Sequence, residues 1–360
     1  MNPQTVFCLN PDCAARGRCG EGNIHIHART PPRYRCDVCS QTFSARAGTL
    51  FHRRPTDEAI ITQVVTRVAY GCPIAAIVTA FGVQRQTVRA WLDAAGGQCE
   101  AVHRQWVCQP RDLKRIEADE IRVKQQGQVV WLAMALMVST RLWLGGVVSA
   151  QRDGVLITRL FRLVRACAVP APLLVCVDGF AAYVGKVRQM ARSPIPRNGK
   201  QGRPRLREWQ GLVIGQVVKQ RRGRCVVGVI RRVAHGTMRQ ARQACGAQAI
   251  HTAYIERLNG TFRARLSALT RRTHAAGRTV ARLEAGMWLV GTVYNFCTPH
   301  ASLARGQTPA MAAHITKRVW SVSELLHCPV PPAPWQPPVR CGKRGRRPKE
   351  LQALVERWVL

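Results

Sequence analysis

Through residues 1–54 apolar positions are scattered among Cys, Gly and Arg, with no run long enough to build a core unaided. A segment that small needs a staple. From residue 55 the pattern takes a helical period. Thr56-Asp57-Glu58 supplies a cap and an acidic first turn, and Ile60, Ile61, Val64, Val65 and Val68 recur along one face. A second helix is expected from Pro73, carrying Ile74, Ile77, Val78 and Phe81, with Gly82 as the turn and Val83 tucked inside. A third, over 84–94, buries Val88 and Trp91. The period then changes to strand-like runs at 115–124, 129–138 and 142–148. A helix over 153–168 follows, then a short buried strand at 173–177 that ends on Asp178-Gly179. Residues 191–208 read as an exposed basic loop. Two Val-rich runs, 212–218 and 225–233, flank the turn 220–224 and predict a hairpin. Residues 250–297 read as helices, and the chain from Pro329 is Pro-rich, then basic.

Charge narrows the partners. Fifty-five Lys and Arg against 19 Asp and Glu leave a net +36, a field that favours a polyanion. The longest apolar run, 129–138, is far short of the roughly 20 residues needed to span a bilayer, and no leader pattern opens the chain. The expectation is a cytoplasmic, nucleoid-associated protein with no membrane partner. In such a compartment the 15 Cys are metal ligands or small buried residues rather than disulfides.

Cys8-x4-Cys13 and Cys36-x2-Cys39 are two short pairs about twenty residues apart, the spacing of a zinc ribbon in which four thiolates complete a tetrahedral site. Cys19 competes with Cys13 for one place. Such a site is structural and leaves no open position for catalysis. In the helical segment that follows, the third helix offers Gln84, Arg85, Gln86, Thr87 and Arg89, side chains able to read base edges and hold phosphates, as a recognition helix does. A plain three-helix domain without DNA contact is the alternative.

Carboxylates are scarce, so their positions are informative. Asp119 lies in the first strand-like run, with Glu117 and Glu120 as rivals. Asp178 ends the short buried strand, where α/β sheets place their chemistry. Glu256 lies on a helix whose stripe Ile255, Leu258, Phe262, Leu266 and Leu269 is apolar. Glu256, Asn259, Gly260 and Arg263 form a different face. Asp119, Asp178 and Glu256 converging on two Mg²⁺ or Mn²⁺ ions would suit in-line phosphodiester attack. Read singly, Asp178 is a helix cap and Glu256 a surface partner of Arg257 or Arg263.

These residues resemble the DDE transposases of bacterial insertion sequences, in particular the insertion-sequence-one-like group with an N-terminal zinc ribbon. The likeness runs over about residues 8–310. It rests on Arg33-Tyr34-Arg35-Cys36-x2-Cys39-x3-Phe43, Ala118-Asp119-Glu120, Val177-Asp178-Gly179-Phe180-x2-Tyr183, Tyr254-Ile255-Glu256-Arg257-Leu258-Asn259-Gly260-Thr261-Phe262-Arg263 and Tyr294-Asn295-Phe296-x2-Pro299-His300-x-Ser302-Leu303. The resemblance implies a multidomain protein: a small zinc-ribbon β domain (1–54), an all-α helix-turn-helix (55–97) and an α/β RNase H-like catalytic domain (110–310). It implies structural zinc, two catalytic Mg or Mn ions on Asp119, Asp178 and Glu256, Asn259 as a support near them, and Arg263 as a DNA contact. Double-stranded DNA, both element ends and target, would be the partner, and a homo-oligomer, at least a dimer, would join two ends.

Residues 191–245 match no motif of that group and read as a basic hairpin insertion that grips DNA. Residues 197–242 hold thirteen Lys or Arg and one carboxylate, Glu208. Gly202-Arg203-Pro204-Arg205 and Arg344-Gly345-Arg346-Arg347-Pro348 resemble minor-groove hooks, for which Arg203 and Arg205 are the candidate contacts. Non-specific backbone contact is the preferred reading of both. The 329–360 tail lies outside the likeness. Two further classes stay open: a catalytically inactive DNA-binding regulator and a host nuclease of the same fold.

Overall fold

Scattered apolar residues near the start give a small sheet and little else. The computed structural model describes residues 2–125, 127–196, 203–223, 225–246, 249–270 and 279–335. Gly202 of the first hook core, all of the second (Arg344 to Pro348), and most of the 329–360 tail lie outside them. Two units separate, one of the first 58 residues with the segment from His327, the other Ala59–Leu326. In the first, strands β1 (Ile24–Arg29), β2 (Pro32–Cys36) and β3 (Thr42–Ser44) pair antiparallel in that order. Their core is Ile24, Tyr34 and the cysteines, with Tyr34 and Phe43 in ring contact at 6.0 Å.

The second unit opens with α1 (Glu58–Ala69), α2 (Ile74–Phe81) and α3 (Arg85–Trp106). Ile61, Val64 and Val65 are buried as the period predicts, whereas Ile60 is 37% exposed. Gly82 ends α2 at φ +63°, donating its N–H to the Val78 carbonyl, in a conformation that suits glycine. Helix α3 runs well past the expected end at residue 94. Its buried stripe continues through Ala95, Cys99, Val102 and His103, and a Cβ on Gly96 would stand 2.5 Å from Ala285 Cα, so α3 closes onto a later helix. The three helices therefore share one unit with the sheet that follows.

That sheet begins as a meander of β4 (Arg115–Gln125), β5 (Gln128–Met137) and β6 (Trp143–Ser149). Helix α4 (Gly154–Cys167), capped by Asp153, crosses to β7 (Leu173–Asp178), which runs parallel beside β4. Helix α5 (Ala182–Met190) and a small ladder of β8 (Arg192–Pro194) with β9 (Leu206–Glu208) lead to β10 (Leu212–Arg222). β10 pairs parallel with β7, and β11 (Cys225–His235) pairs antiparallel with β10. The sheet order is β11-β10-β7-β4-β5-β6. The hairpin is present, but its first strand belongs to the main sheet: Leu212 to Val217 are buried throughout, and Lys219 to Arg222 project beyond the core. The chain closes with α6 (Met238–Cys245), α7 (Ala253–Arg265), α8 (Val280–Cys297), α9 (Pro309–Ala312) and α10 (Val322–His327). Helix α4 packs on β5, β6 and α5, while α7 packs on β4 and β5 and α8 on β6, α7 and α3. Among the described residues no helix is long and apolar enough to cross a membrane.

Candidate functional site

In the first unit, tight turns present the thiols. The Gly17 amide bonds the Cys8 carbonyl at 3.0 Å, and the Cys36 amide bonds the Gln41 carbonyl at 3.0 Å. Cys8 Sγ lies 3.7 Å from Cys39 Sγ, and Cys13 Sγ lies 3.8 Å from Cys36 Sγ, with all four sulfurs within 4.8 Å of one another. Zn–S bonds of about 2.3 Å in a tetrahedron put sulfurs about 3.8 Å apart, so the four fit zinc. Cys19 is elsewhere, its thiol donating to the Gln4 carbonyl at 3.1 Å. Burial pushes the Cys8 and Cys13 thiols up, Cys13 to about 11, so ligation would release protons.

In the second unit, residues 117, 119 and 121 of β4 face one side and 118, 120 and 122 the other. Asp178 falls on the same side as Asp119, two residues beyond the registered pair Glu117↔Cys176. That pair is the last between β4 and β7, so beyond it the strands are no longer held at ladder spacing. There carboxylates from both sides meet: Asp119, Glu120 and Asp178 place ligand oxygens within 4.8 Å of one another. Arg152 Nη2 bridges two of them, 2.8 Å from Glu120 Oε2 and 2.7 Å from Asp178 Oδ2. Its guanidinium also lies over the rings of Phe180 at 4.4 Å and Trp131 at 5.2 Å.

Glu117, a rival at the sequence level, has another task. It is fully buried, and its Oε2 accepts the amides of Tyr254 and Ile255 at 2.9 and 3.0 Å, neutralising the N-terminus of α7 from outside. Thr252, at the helix's own cap position, makes no such bond. Arg115 and His251 complete the pocket, each 3.2 Å from Glu117 Oε1. Thus anchored, α7 brings Asn259 to the cluster, where its Nδ2 donates to Asp119 Oδ2 at 2.9 Å. Asn259 is buried rather than outward-facing, and its Oδ1 has no hydrogen-bond partner. Glu256, on the same helix, stands outside the 4.8 Å group. It is 44% exposed and paired with Lys219 Nζ at 2.6 Å, and it also accepts from the Thr252 hydroxyl at 2.9 Å.

Burial, and then the neighbouring charge of Glu120, push the Asp119 carboxyl up to about 7. Burial likewise raises Glu120 and Glu117. The Tyr183 phenol, fully buried beside Glu120, is pushed well up by burial and by that carboxylate. A pocket of crowded, desolvated acids with unpartnered acceptors is chemically suited to a hard cation, and the donor set is all oxygen.

The other candidates scatter. Arg85 and Gln86 are exposed at the start of α3 and Arg89 is half-buried. Arg263 is half-buried on α7, and Arg203 and Arg205 are exposed ahead of β9. The 294–303 motif serves packing. Asn295, fully buried, accepts the Trp143 amide and donates to the Trp143 carbonyl, both at 2.9 Å. The Tyr294 hydroxyl donates to the Arg141 carbonyl at 3.1 Å. Sequence reasoning missed Arg152 and Lys219, since nothing in a +36 chain distinguishes one cation from another.

No known protein family's description matches the chain, and no curated protein matches it. Among solved structures it is similar to the piggyBac transposase of a synaptic complex with hairpin DNA. The identity is 10% and the TM-score 0.34, over 78% of this chain and 71% of that one. At that level of likeness nothing about this chain's chemistry follows from the neighbour.

Proposed function

We propose that the protein is a DDE-type transposase, which binds the terminal repeats of a mobile element, cleaves a phosphodiester at its end and joins the freed 3′-hydroxyl to target DNA. The observation that carries this reading is the meeting of Asp119 and Asp178, from adjacent parallel strands, with Asn259 of α7, three residues along the helix from Glu256. The strand order, a three-strand meander followed by two parallel strands on its other side, is the one the RNase H-like reading requires. Bound divalent cations would stabilise the attacking and leaving oxygens of an in-line displacement. The protein's own part is to hold Asp119 in one rotamer through Asn259, to hold α7 through Glu117, and to keep Glu256 within reach once Lys219 releases it. Water, then a 3′-hydroxyl, would be the nucleophiles, with no covalent enzyme intermediate. Lys219, Arg221 and Arg222, on the projecting part of β10, offer phosphates a basic surface, as do Arg85, Gln86 and Arg89 on α3. The zinc unit would add a second DNA contact, and joining two ends calls for at least a dimer. Such work belongs in the cytoplasm, at the nucleoid.

One observation favours a second reading. Glu256 is neutralised by Lys219 outside the acidic group, as in a DNA-binding regulator that no longer cuts. Supercoiled plasmid carrying the element's ends separates the two. Nicking that needs Mn²⁺, stops with chelator and is lost in Asp178→Asn with binding retained supports the enzyme. Tight binding without nicking supports the regulator, and equal nicking by the variant points to a contaminating nuclease.

A further inference from the structure

We propose that Glu120 is a ligand of the first divalent cation the protein takes up, and that the Arg152 guanidinium holds that cation's place until it arrives. The inference rests on the metal-dependent reading above and deepens it. An octahedral Mg²⁺ or Mn²⁺ with oxygens at about 2.1 Å has them about 3 Å apart at neighbouring positions and about 4.2 Å apart across the ion. The oxygens of Asp119, Glu120 and Asp178 already lie within 4.8 Å of one another, whereas Glu256 is not among them. All three sit on strands of the central sheet, so little motion is needed to close them on an ion.

Two independent observations point into this group. The Glu120 side chain is 1% exposed, and a carboxylate that deep is costly without a cation to neutralise it. Its Oε2 is held by Arg152, which shares the same guanidinium nitrogen with Asp178. A side chain 31% exposed, resting on the rings of Phe180 and Trp131, can swing outward without unpacking the core. Exchange of Arg152 for a divalent cation keeps the carboxylates neutralised throughout and frees a guanidinium at the rim for a phosphate. Glu256, on α7 and bound to Lys219, would then complete the second ion's shell.

The test is Mn²⁺ binding by the full-length zinc-loaded protein, followed by the loss of the free-ion electron paramagnetic resonance signal, without DNA. Glu120→Gln is expected to weaken the tightest Mn²⁺ site at least tenfold, Glu120→Asp to weaken it less, and Arg152→Gln to tighten it severalfold. If Glu120→Gln does not fold, the graded loss in Glu120→Asp and the gain in Arg152→Gln carry the test. Wild-type-like affinity in Glu120→Gln or Glu120→Asp, or none gained in Arg152→Gln, overturns the inference while leaving metal-dependent nicking intact. Absence of Mn²⁺ binding by the unaltered protein overturns both.

Discussion

Asp119 shows how one carboxylate links burial to pH. Its carboxyl is raised from the ordinary range to about 7, first by burial and then by Glu120, so the folded protein binds a proton there that the unfolded chain releases near pH 4. A raised folded value means the associated stability is full below about pH 4 and is lost as pH rises toward about 7. In chelator, the melting temperature should fall across that window, and Asp119→Asn should flatten the fall, although Glu117 and Glu120, shifted the same way, leave part of it. Divalent-cation affinity should rise over the same interval, since the ion competes with that proton. Asn295 makes a purely structural case. Truncation to Ala leaves the Trp143 amide and carbonyl buried and unpaired, at a cost of roughly 2–4 kcal/mol readable in denaturant titrations. A change under about 0.5 kcal/mol would contradict that role.

Among elements, the crossing of α3 with α8 depends on a missing side chain. Alanine is the better helix former by about 1 kcal/mol, yet at position 96 its Cβ would press on Ala285 backbone, at a cost of about 1–3 kcal/mol. Gly96→Ala is therefore expected to lower stability, and a stabilised variant would show that the helices sit farther apart. Helix α7 depends on a carboxylate from another element. Glu117→Ala removes the acceptor of two α7 amides and the carboxylate that Arg115 pairs with, a loss of about 3 kcal/mol. Hydrogen exchange should quicken first over 253–259 if Glu117 anchors that end, whereas uniform change along the chain would mean only global destabilisation.

Over the whole molecule, the two units predict separable responses. If zinc ties its four cysteines together, a thiol-seeking chelator should melt the first unit and leave the unfolding transition of Ala59–Leu326 in place. Loss of both together would show that the second unit depends on the first. With +36 the protein should bind any duplex at low salt, its affinity falling as a power of salt concentration with an exponent near −0.9 for each phosphate neutralised. Alanines at Lys219, Arg221 and Arg222 should make that exponent less negative if the projecting strand lies on DNA.

Periodicity alone determined most elements. Strand-like runs bounded by turns became β4 to β7 within a residue or two of the expected ends, and β5 to β7 were the plainest because strands buried on both faces must be apolar along most of their length. The cysteine spacing likewise foretold a four-thiol cluster, since short pairs on tight turns converge by local geometry. What followed from packing was not legible. Nothing in the apolar run at 212–217 says that it pairs with β7 rather than standing in a separate hairpin, because hydrogen-bonded neighbours are chosen by the whole sheet. The carboxylates show the same division. That some of the 115–120 acids matter was readable from their scarcity. That Glu117 holds a helix, that Glu120 joins Asp119 and Asp178, that Arg152 bridges two of these and that Lys219 pairs Glu256 depends on contacts between residues distant in sequence, which only the tertiary structure decides.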